Sequence, residues 1–445
     1  MTHRLLFMLV ALMALSFSGV RAADPVRVPV FEMNTYGSKY YRIPALAVAA
    51  DGSLIAVADR RGDALNDLPN TISVVVRRSV DNGDTWSDPV VLAEGNKTAG
   101  KSYGDPAVVV DRESGTILVL FCGDKGFWDS RNPVSQRQGL YMVKSTDNGL
   151  TWSEPVRFDS QIYKQNWQGG FIASGTALQL SSGRIMCVVN AHTSTSPGYN
   201  QEQYAIWTDD LGETWHAGAR SATPSGNGNE SKLIERENGD IVMSIRCSGT
   251  RMYAVSTDGG DTWGPLSRWN DMQAADCNGD ILRYSSSSDG RSRILNSVPN
   301  SSIRENVSVF LSYDEADTWP VKKTLCKGVS AYSSLAVLPG GEIGCLVEEG
   351  KWDSNLPGDD GFTLAFYRFT LDWLTDGADN PTSVTSISGS SDSVNPFISI
   401  SDDSLLSEEI SLYTLGGLPV DPSSAPAGLY ILRNTSSSRL VRLPR

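Results

Sequence analysis

The chain has 445 residues, and its 38 Lys plus Arg against 51 Asp plus Glu give a formal charge of −13. That acidic surplus argues against nucleic acid as a partner, because binding a phosphate backbone needs cations to displace its counterions; it also offers no attraction to an anionic membrane surface. Three His (His3, His192, His216) are too few for a His-rich zinc site, and six Cys (122, 187, 247, 277, 326, 345) with no CxxC pair read as buried thiols or one bridge rather than a disulfide framework.

Residues 1–22 read as a signal peptide: Arg4 is the positive start, Leu5 to Phe17 the apolar run, and Val20-Arg21-Ala22 places small residues around a cleavage point. The run is too short to span a membrane and stop there, and no later apolar run is long enough, so no integral membrane segment is expected in the mature chain. From there an eight-residue pattern, Ser/Thr-x-Asp-x-Gly-x-Thr-Trp, recurs five times. The copies begin at Ser79, Ser145, Thr208, Ser256 and Ser312, and Ala316 replaces the Gly in the last. Starts lie 66, 63, 48 and 56 residues apart, a recurrence that points to a repeat architecture and, for strands, to a propeller. Each copy reads as a hairpin turn: Asp caps the turn backbone, Gly supplies positive φ, and Trp is expected to bury the turn against its own sheet.

Short β-branched runs flank the copies, such as Ile72 to Val76 and Val307 to Leu311, with no long 3.6-residue periodicity. The expectation is all-β, a six-bladed β-propeller over about 27–374 within a domain of 23–374. Residues 375–402 are Ser-rich and read as a linker. Residues 403–445 read as a small C-terminal β module, similar to the C-terminal modules that mark secreted Bacteroidota proteins for outer-membrane export. The chain is therefore expected to be exported from a Gram-negative bacterium, to the periplasm, the outer membrane or the medium.

The five Trp boxes resemble the Asp boxes of sialidases, the neuraminidases of the exo-α-sialidase fold, and further motifs follow in that family's order over about 350 residues. They are Tyr41-Arg42-Ile43-Pro44, Ala58-Asp59-Arg60-Arg61 with Asp67 (Asp63 being the alternative), Gly104-Asp105-Pro106, Gly228-Asn229-Glu230, Ser244-Ile245-Arg246, Asn300 to Arg304 with Asn306, Ala331-Tyr332-Ser333-Ser334, and Leu346-Val347-Glu348. Val347 departs from the family, which often has an aromatic there. The resemblance implies an exo-α-sialidase, a glycoside hydrolase that removes terminal sialic acid with retention from glycoproteins, glycolipids or oligosaccharides.

Sialic acid carries a carboxylate on its anomeric carbon, and planar Arg forks bind carboxylates better than Lys. By the resemblance, Arg42, Arg246 and Arg304 form that cluster and Glu348 holds Arg42. A carboxylate nucleophile would be repelled by the substrate's own charge, whereas a neutral phenol would not; sialidases use Tyr. Tyr332 is the implied nucleophile, Glu230 its base, and Asp67 the acid and then base, with a pKa that rises when substrate closes over it. Arg61 and Asp105 are expected to line the pocket, and Phe127, Trp128 and Trp167 are rim or core candidates. No metal or other cofactor is implied, the partners are sialylated glycoconjugates, and a monomer is expected. Two rival readings stay open: a non-catalytic sialoglycan-binding propeller or adhesin, and a trans-sialidase.

Overall fold

The computed structural model describes residues 22–379, apart from 63, 194–199, 225, 227 and 352–359, and four strands between 411 and 443. The expected signal peptide, most of the expected linker and Asp63 lie outside the described residues.

Strands follow one another as antiparallel neighbours. After β1 (Val26–Phe31), the strands β2 (Tyr40–Val48), β3 (Leu54–Arg61), β4 (Ile72–Ser79) and β5 (Val90–Ala93) form one sheet in chain order. β6 (Tyr103–Val110), β7 (Ile117–Gly123), β8 (Gly139–Ser145) and β9 (Val156–Arg157) repeat the arrangement. In the third sheet β10 (Gly169–Ile172), β13 (Ile185–His192), β14 (Gln201–Thr208) and β15 (His216–Ala217) pair in that order. Of the short strands between, β11 (Gly175–Thr176) runs parallel to β6 and β12 (Leu178–Gln179) joins β13. The fourth sheet is β16 (Ser231–Glu235), β17 (Ile241–Ile245), β18 (Gly249–Ser256) and β19 (Ser267–Ala274).

The fifth sheet has seven strands, built from β20 (Asp280–Ser285), β21 (Arg293–Pro299), β22 (Glu305–Ser312), β23 (Val321–Val337), β24 (Ile343–Lys351) and β25 (Gly361–Phe369), with β1 added on the outer edge of β25. β23 is 17 residues long; its first part pairs with β22 and its second with β24. A four-residue helix, α1 (Leu371–Leu374), follows. The C-terminal strands β26 (Ser411–Tyr413), β27 (Pro419–Val420), β28 (Gly428–Arg433) and β29 (Ser438–Leu443) form a sheet of their own. Among the described residues the architecture is all-β, as expected.

Sequence sets the burial gradient within each sheet. β7 (ILVLFCG) and β13 (IMCVVNAH) are buried along their whole length, so both faces pack against other sheets, and a continuous apolar run suits that better than alternation. Last strands are wetter: β9 is exposed, and β19 buries only Trp269, Met272 and Ala274. All six Cys are free and buried.

The five boxes make one turn. In the first, Ser79 Oγ donates to Asp81 (2.8 Å), Asp81 accepts from the Thr85 backbone N–H (2.9 Å) and hydroxyl (2.5 Å), and the Gly83 N–H donates to Ser79 Oγ (2.9 Å). The fifth repeats these bonds although it lacks Gly: Ala316 sits at φ 67°, and its N–H reaches Ser312 Oγ at 3.0 Å. The Trp residues correct the expectation that each turn packs on its own sheet. Trp86 lies edge-on to Phe366 of β25 at 5.6 Å, and Trp215 stacks on Phe158, just beyond β9, at 4.8 Å. The indole therefore fills the gap between neighbouring sheets, where two apolar faces meet.

Candidate active site

Bulges aim the functional side chains. Register shifts occur in β2 between Arg42 and Ala45, in β6 between Gly104 and Ala107, in β22 next to Asn306, and in β23 between Ser330 and Ser333. At the first three, a non-glycine residue takes positive φ: Ile43 at 59°, Asp105 at 57° and Asn306 at 57°. A bulge tilts the local strand and redirects its side chains. For a β-branched residue such as Ile43, positive φ is costly and persists only where the surroundings enforce it. Here Glu348 does so, accepting from the Ile43 N–H at 2.8 Å.

Glu348, fully buried on β24, also accepts from Arg42 Nε at 3.1 Å, from Arg42 Nη2 at 3.2 Å and from the Tyr332 N–H at 3.2 Å. One carboxylate thus fixes a guanidinium and the backbone that carries the phenol. Burial alone would lower the Arg42 pKa, but Glu348 and Asp67 outweigh it and hold the group charged. Three guanidiniums surround the Tyr332 ring, with Cζ to centroid distances of 5.2 Å for Arg42, 5.4 Å for Arg304 and 6.0 Å for Arg246.

The Tyr332 hydroxyl donates to Glu230 Oε2 at 2.8 Å and accepts from Arg246 Nη1 at 2.9 Å. Arg246 also binds Glu230 Oε2 directly. Desolvation, then the Glu230 charge, push the Tyr332 pKa well above its ordinary value against the pull of the three Arg. The phenol is therefore neutral at rest, with a carboxylate in place to take its proton.

Asp67 stands at the open side, its side chain 60% exposed, with Oδ1 2.9 Å from Arg61 Nη2 and 3.8 Å from Arg42 Nη1. Desolvation raises its pKa, but Arg61 and then Arg42 more than reverse this, leaving it below the ordinary carboxylate value. In the free protein this carboxyl is held ionised. Its neighbours titrate the other way. Burial pushes Asp59 up to about 6 against the attraction of Arg61. Burial, then Asp59, Asp67 and Glu230, push Asp105 well up.

A cavity of about 340 Å³ brings together Arg42, Asp67, Asp105, Glu230, Arg246, Arg304 and Tyr332. Two expected site residues stand outside it. Arg61 is fully buried and donates to Asp59 Oδ2 (2.8 Å), Asp67 and the Leu65 carbonyl, so it corrects the expectation that it lines the pocket: it props Asp67. Glu348 lies against Arg42, with Oε1 3.1 Å from Nε. Phe127 and Trp128 reach the cavity wall, whereas Trp167 is fully buried in the apolar core beside Tyr204. A larger cavity of about 780 Å³ is lined by β2, β6 and β16 residues such as Leu46, Val108 and Leu233 and holds none of these groups.

Several groups around the site have no role that the motifs assign, although Asp59 stands in one of them. Asp59 accepts from the Asp105 N–H at 3.0 Å as well as from Arg61. Ser174 Oγ approaches Glu230 Oε1 at 3.5 Å and accepts from Asn278 Nδ2 at 3.1 Å. Buried Lys232 donates to Asn278 Oδ1 at 3.2 Å and to the Ser174 carbonyl. Asp276 meets Arg246 Nε at 2.7 Å. The Asp59-x-Arg61 spacing was the one available signal, because alternate residues of a strand share a face.

Residues 68–345 match the family described as BNR repeat-like domain. A sialidase of Micromonospora viridifaciens is 33% identical over 356 residues, covering 76% of this chain but about half, 52%, of that protein. Among solved structures, the Hadza microbial sialidase Hz136 superposes with a TM-score of 0.68 at 25% identity, over 78% of this chain and 69% of its own. The intramolecular trans-sialidase of Ruminococcus gnavus has the same fold, with a TM-score of 0.68 at 19% identity over 78% of this chain and 98% of its own. With boxes, bulged motifs and fold in agreement, the chain belongs to the BNR repeat-like domain family, and the relatives it resembles are sialidases.

Proposed function

We propose that the protein is a retaining exo-α-sialidase that hydrolyses terminal sialic acid from glycoconjugates through a covalent tyrosyl–sialyl intermediate. The observation that carries this is the neutral Tyr332 phenol, 2.8 Å from Glu230 and ringed by three guanidiniums in one cavity. Arg42, Arg246 and Arg304 take the substrate carboxylate, and fixing it there converts binding into orientation. Tyr332 Oη attacks the anomeric carbon while Glu230 takes the phenolic proton, and Asp67 protonates the departing glycosidic oxygen. Water then attacks the tyrosyl–sialyl bond. Asp67 takes its proton, Glu230 returns one to the phenolate, and two inversions give retention.

The ionised state of Asp67 in the free protein fits this sequence. A substrate carboxylate on Arg42 weakens the attraction that keeps Asp67 charged, so its pKa climbs when an acid is needed. Asp105 then faces the sugar as a polar wall, and Arg61 and Glu348 position Asp67 and Arg42.

The architecture supporting the site is read as six blades. The seven-stranded sheet counts as two four-stranded units that share β23, and four further sheets complete the set. Residues 1–22 are proposed as a signal peptide, 375–402 as a linker, and 403–445 as an export-linked β module on an exported monomer.

Incubation with a fluorogenic α-sialoside, followed by NMR of the released sugar, tests the reading. The α anomer of free sialic acid is expected first. No release would favour the binding-module alternative, and transfer to an acceptor or an anhydro product would favour a trans-sialidase, as the Ruminococcus gnavus and leech structural neighbours are.

A further inference from the structure

An acid beside an anion-binding cluster needs a reason. Asp276 lies in the link between β19 and β20, with its side chain 54% exposed and Oδ1 2.7 Å from Arg246 Nε. Its carbonyl accepts from Arg304 Nη2 at 3.3 Å. One residue therefore touches two of the three guanidiniums, one through its side chain and one through its backbone, without lining the cavity itself.

The link is itself held tightly. Buried Arg251 donates from Nη1 to the Cys277 carbonyl at 2.8 Å and from Nε to Ser244 Oγ at 3.1 Å. Asn278 Nδ2 donates to the Ser174 carbonyl at 3.0 Å. Asp280 accepts from the Leu335 N–H at 2.8 Å, from Ser334 Oγ at 3.2 Å and from Thr176 Oγ1 at 2.5 Å. Three anchors, at 277, 278 and 280, reach β18, the link between β10 and β11, and the strands β11 and β23, so the backbone at 276 has little freedom. Arg246 meanwhile has its Nη1 engaged by Glu230 and Tyr332. A second contact at Nε, on another edge of the planar fork, fixes the rotation of the guanidinium, and with it the direction of Nη2.

We propose that Asp276 is a positioning residue that sets Arg246, and through its carbonyl Arg304, for the carboxylate of the sugar. This rests on the sialidase reading above. Geometry and charge predict opposite effects here, which makes the idea testable. As a mere charge, Asp276 repels an anionic ligand, and neutralising it should tighten binding. As a positioner, its acceptor geometry matters and its charge is secondary.

The test is calorimetric binding of the unsaturated sialic acid analogue to wild type, Asp276→Asn and Asp276→Glu, with circular dichroism to check folding. Asn keeps an oxygen at the same reach, so affinity within about threefold of wild type is expected. Glu keeps the charge but displaces it by a methylene, and a loss of about tenfold is expected, the size of one charge-assisted hydrogen bond. Tighter binding by Asn together with unchanged binding by Glu would overturn the inference while leaving the sialidase reading intact. Wild-type protein that neither binds the analogue nor releases sialic acid would overturn both. If Glu disturbs the fold, Asp276→Ala replaces it, with the same tenfold loss expected and tighter binding as the contrary result.

Discussion

At the scale of single residues, the two groups proposed to carry the chemistry, Tyr332 and Asp67, rest in opposite states: one neutral by burial and a neighbouring carboxylate, the other ionised by two guanidiniums. Tyr332→Phe removes the proposed nucleophilic oxygen and little else of the ring. Turnover of a natural-type sialoside should fall by about a thousandfold or more, while binding of the unsaturated analogue stays within about threefold. Near wild-type turnover would reject the role. For Asp67 the sign follows from its partners. Its pKa is depressed in the free protein, so the proton is lost at unusually low pH. Once a ligand carboxylate occupies Arg42, the pKa rises and a proton is regained. Binding on the acid side of neutrality, between the depressed free value and the raised bound value, should therefore take up protons. Calorimetry in buffers of different ionisation enthalpy measures this directly; proton release would contradict the account.

At the scale of elements, the turns and bulges do different jobs. The box turns need positive φ, and the first one needs a missing side chain as well. A Cβ on Gly83 would come within 2.2 Å of the Phe366 ring, whereas Ala316 already sits at φ 67° with its methyl buried. Gly83→Ala should cost about 2 kcal/mol in denaturant unfolding, from overpacking and backbone strain together. Ala316→Gly should shift stability by about 1 kcal/mol or less, gained backbone ease offsetting a lost methyl contact. Equal effects at the two positions would refute this reading. The boxes were plain in the sequence because a turn is local: Asp, Gly and Trp lie within eight residues. So were the strand class and most of the pocket's charged groups, whose motifs keep fixed neighbours. The packing partner of Trp86 was not, since Phe366 comes 280 residues later. Nor were Asp276, Asn278 and Lys232, whose side chains meet partners distant in the chain that no spacing rule reports. Arg61 was misread as lining because its strand position was legible but its burial, set by Asp59 across the same face, was not.

At the scale of the whole molecule, the ends of the described 22–379 region are tied together. β1 adds to the free edge of β25, and Arg27 forks onto Glu349 at 2.8 and 3.0 Å. Long-range pairing of the first strand with the last is invisible to local sequence patterns, and it leaves β25 without an open edge. A chain lacking residues 23–31 should melt at least about 5 °C lower and aggregate sooner. An unchanged melting curve would show that this strand is dispensable. The same long-range order assembles the pocket, since Arg42 and Tyr332 come from different sheets and Glu230 stands just before β16 of a third.

In the proposed mechanism, the phenol held among three guanidiniums forms a bond to the sugar. Incubation with a 2,3-difluoro sialic acid, whose fluorine slows breakdown of the intermediate, followed by peptide mass mapping, tests it most directly. The account predicts one sialyl adduct, on the peptide carrying Tyr332, and none on Tyr332→Phe. An adduct on another residue, or steady hydrolysis of ordinary sialosides with no adduct ever trapped, would contradict it.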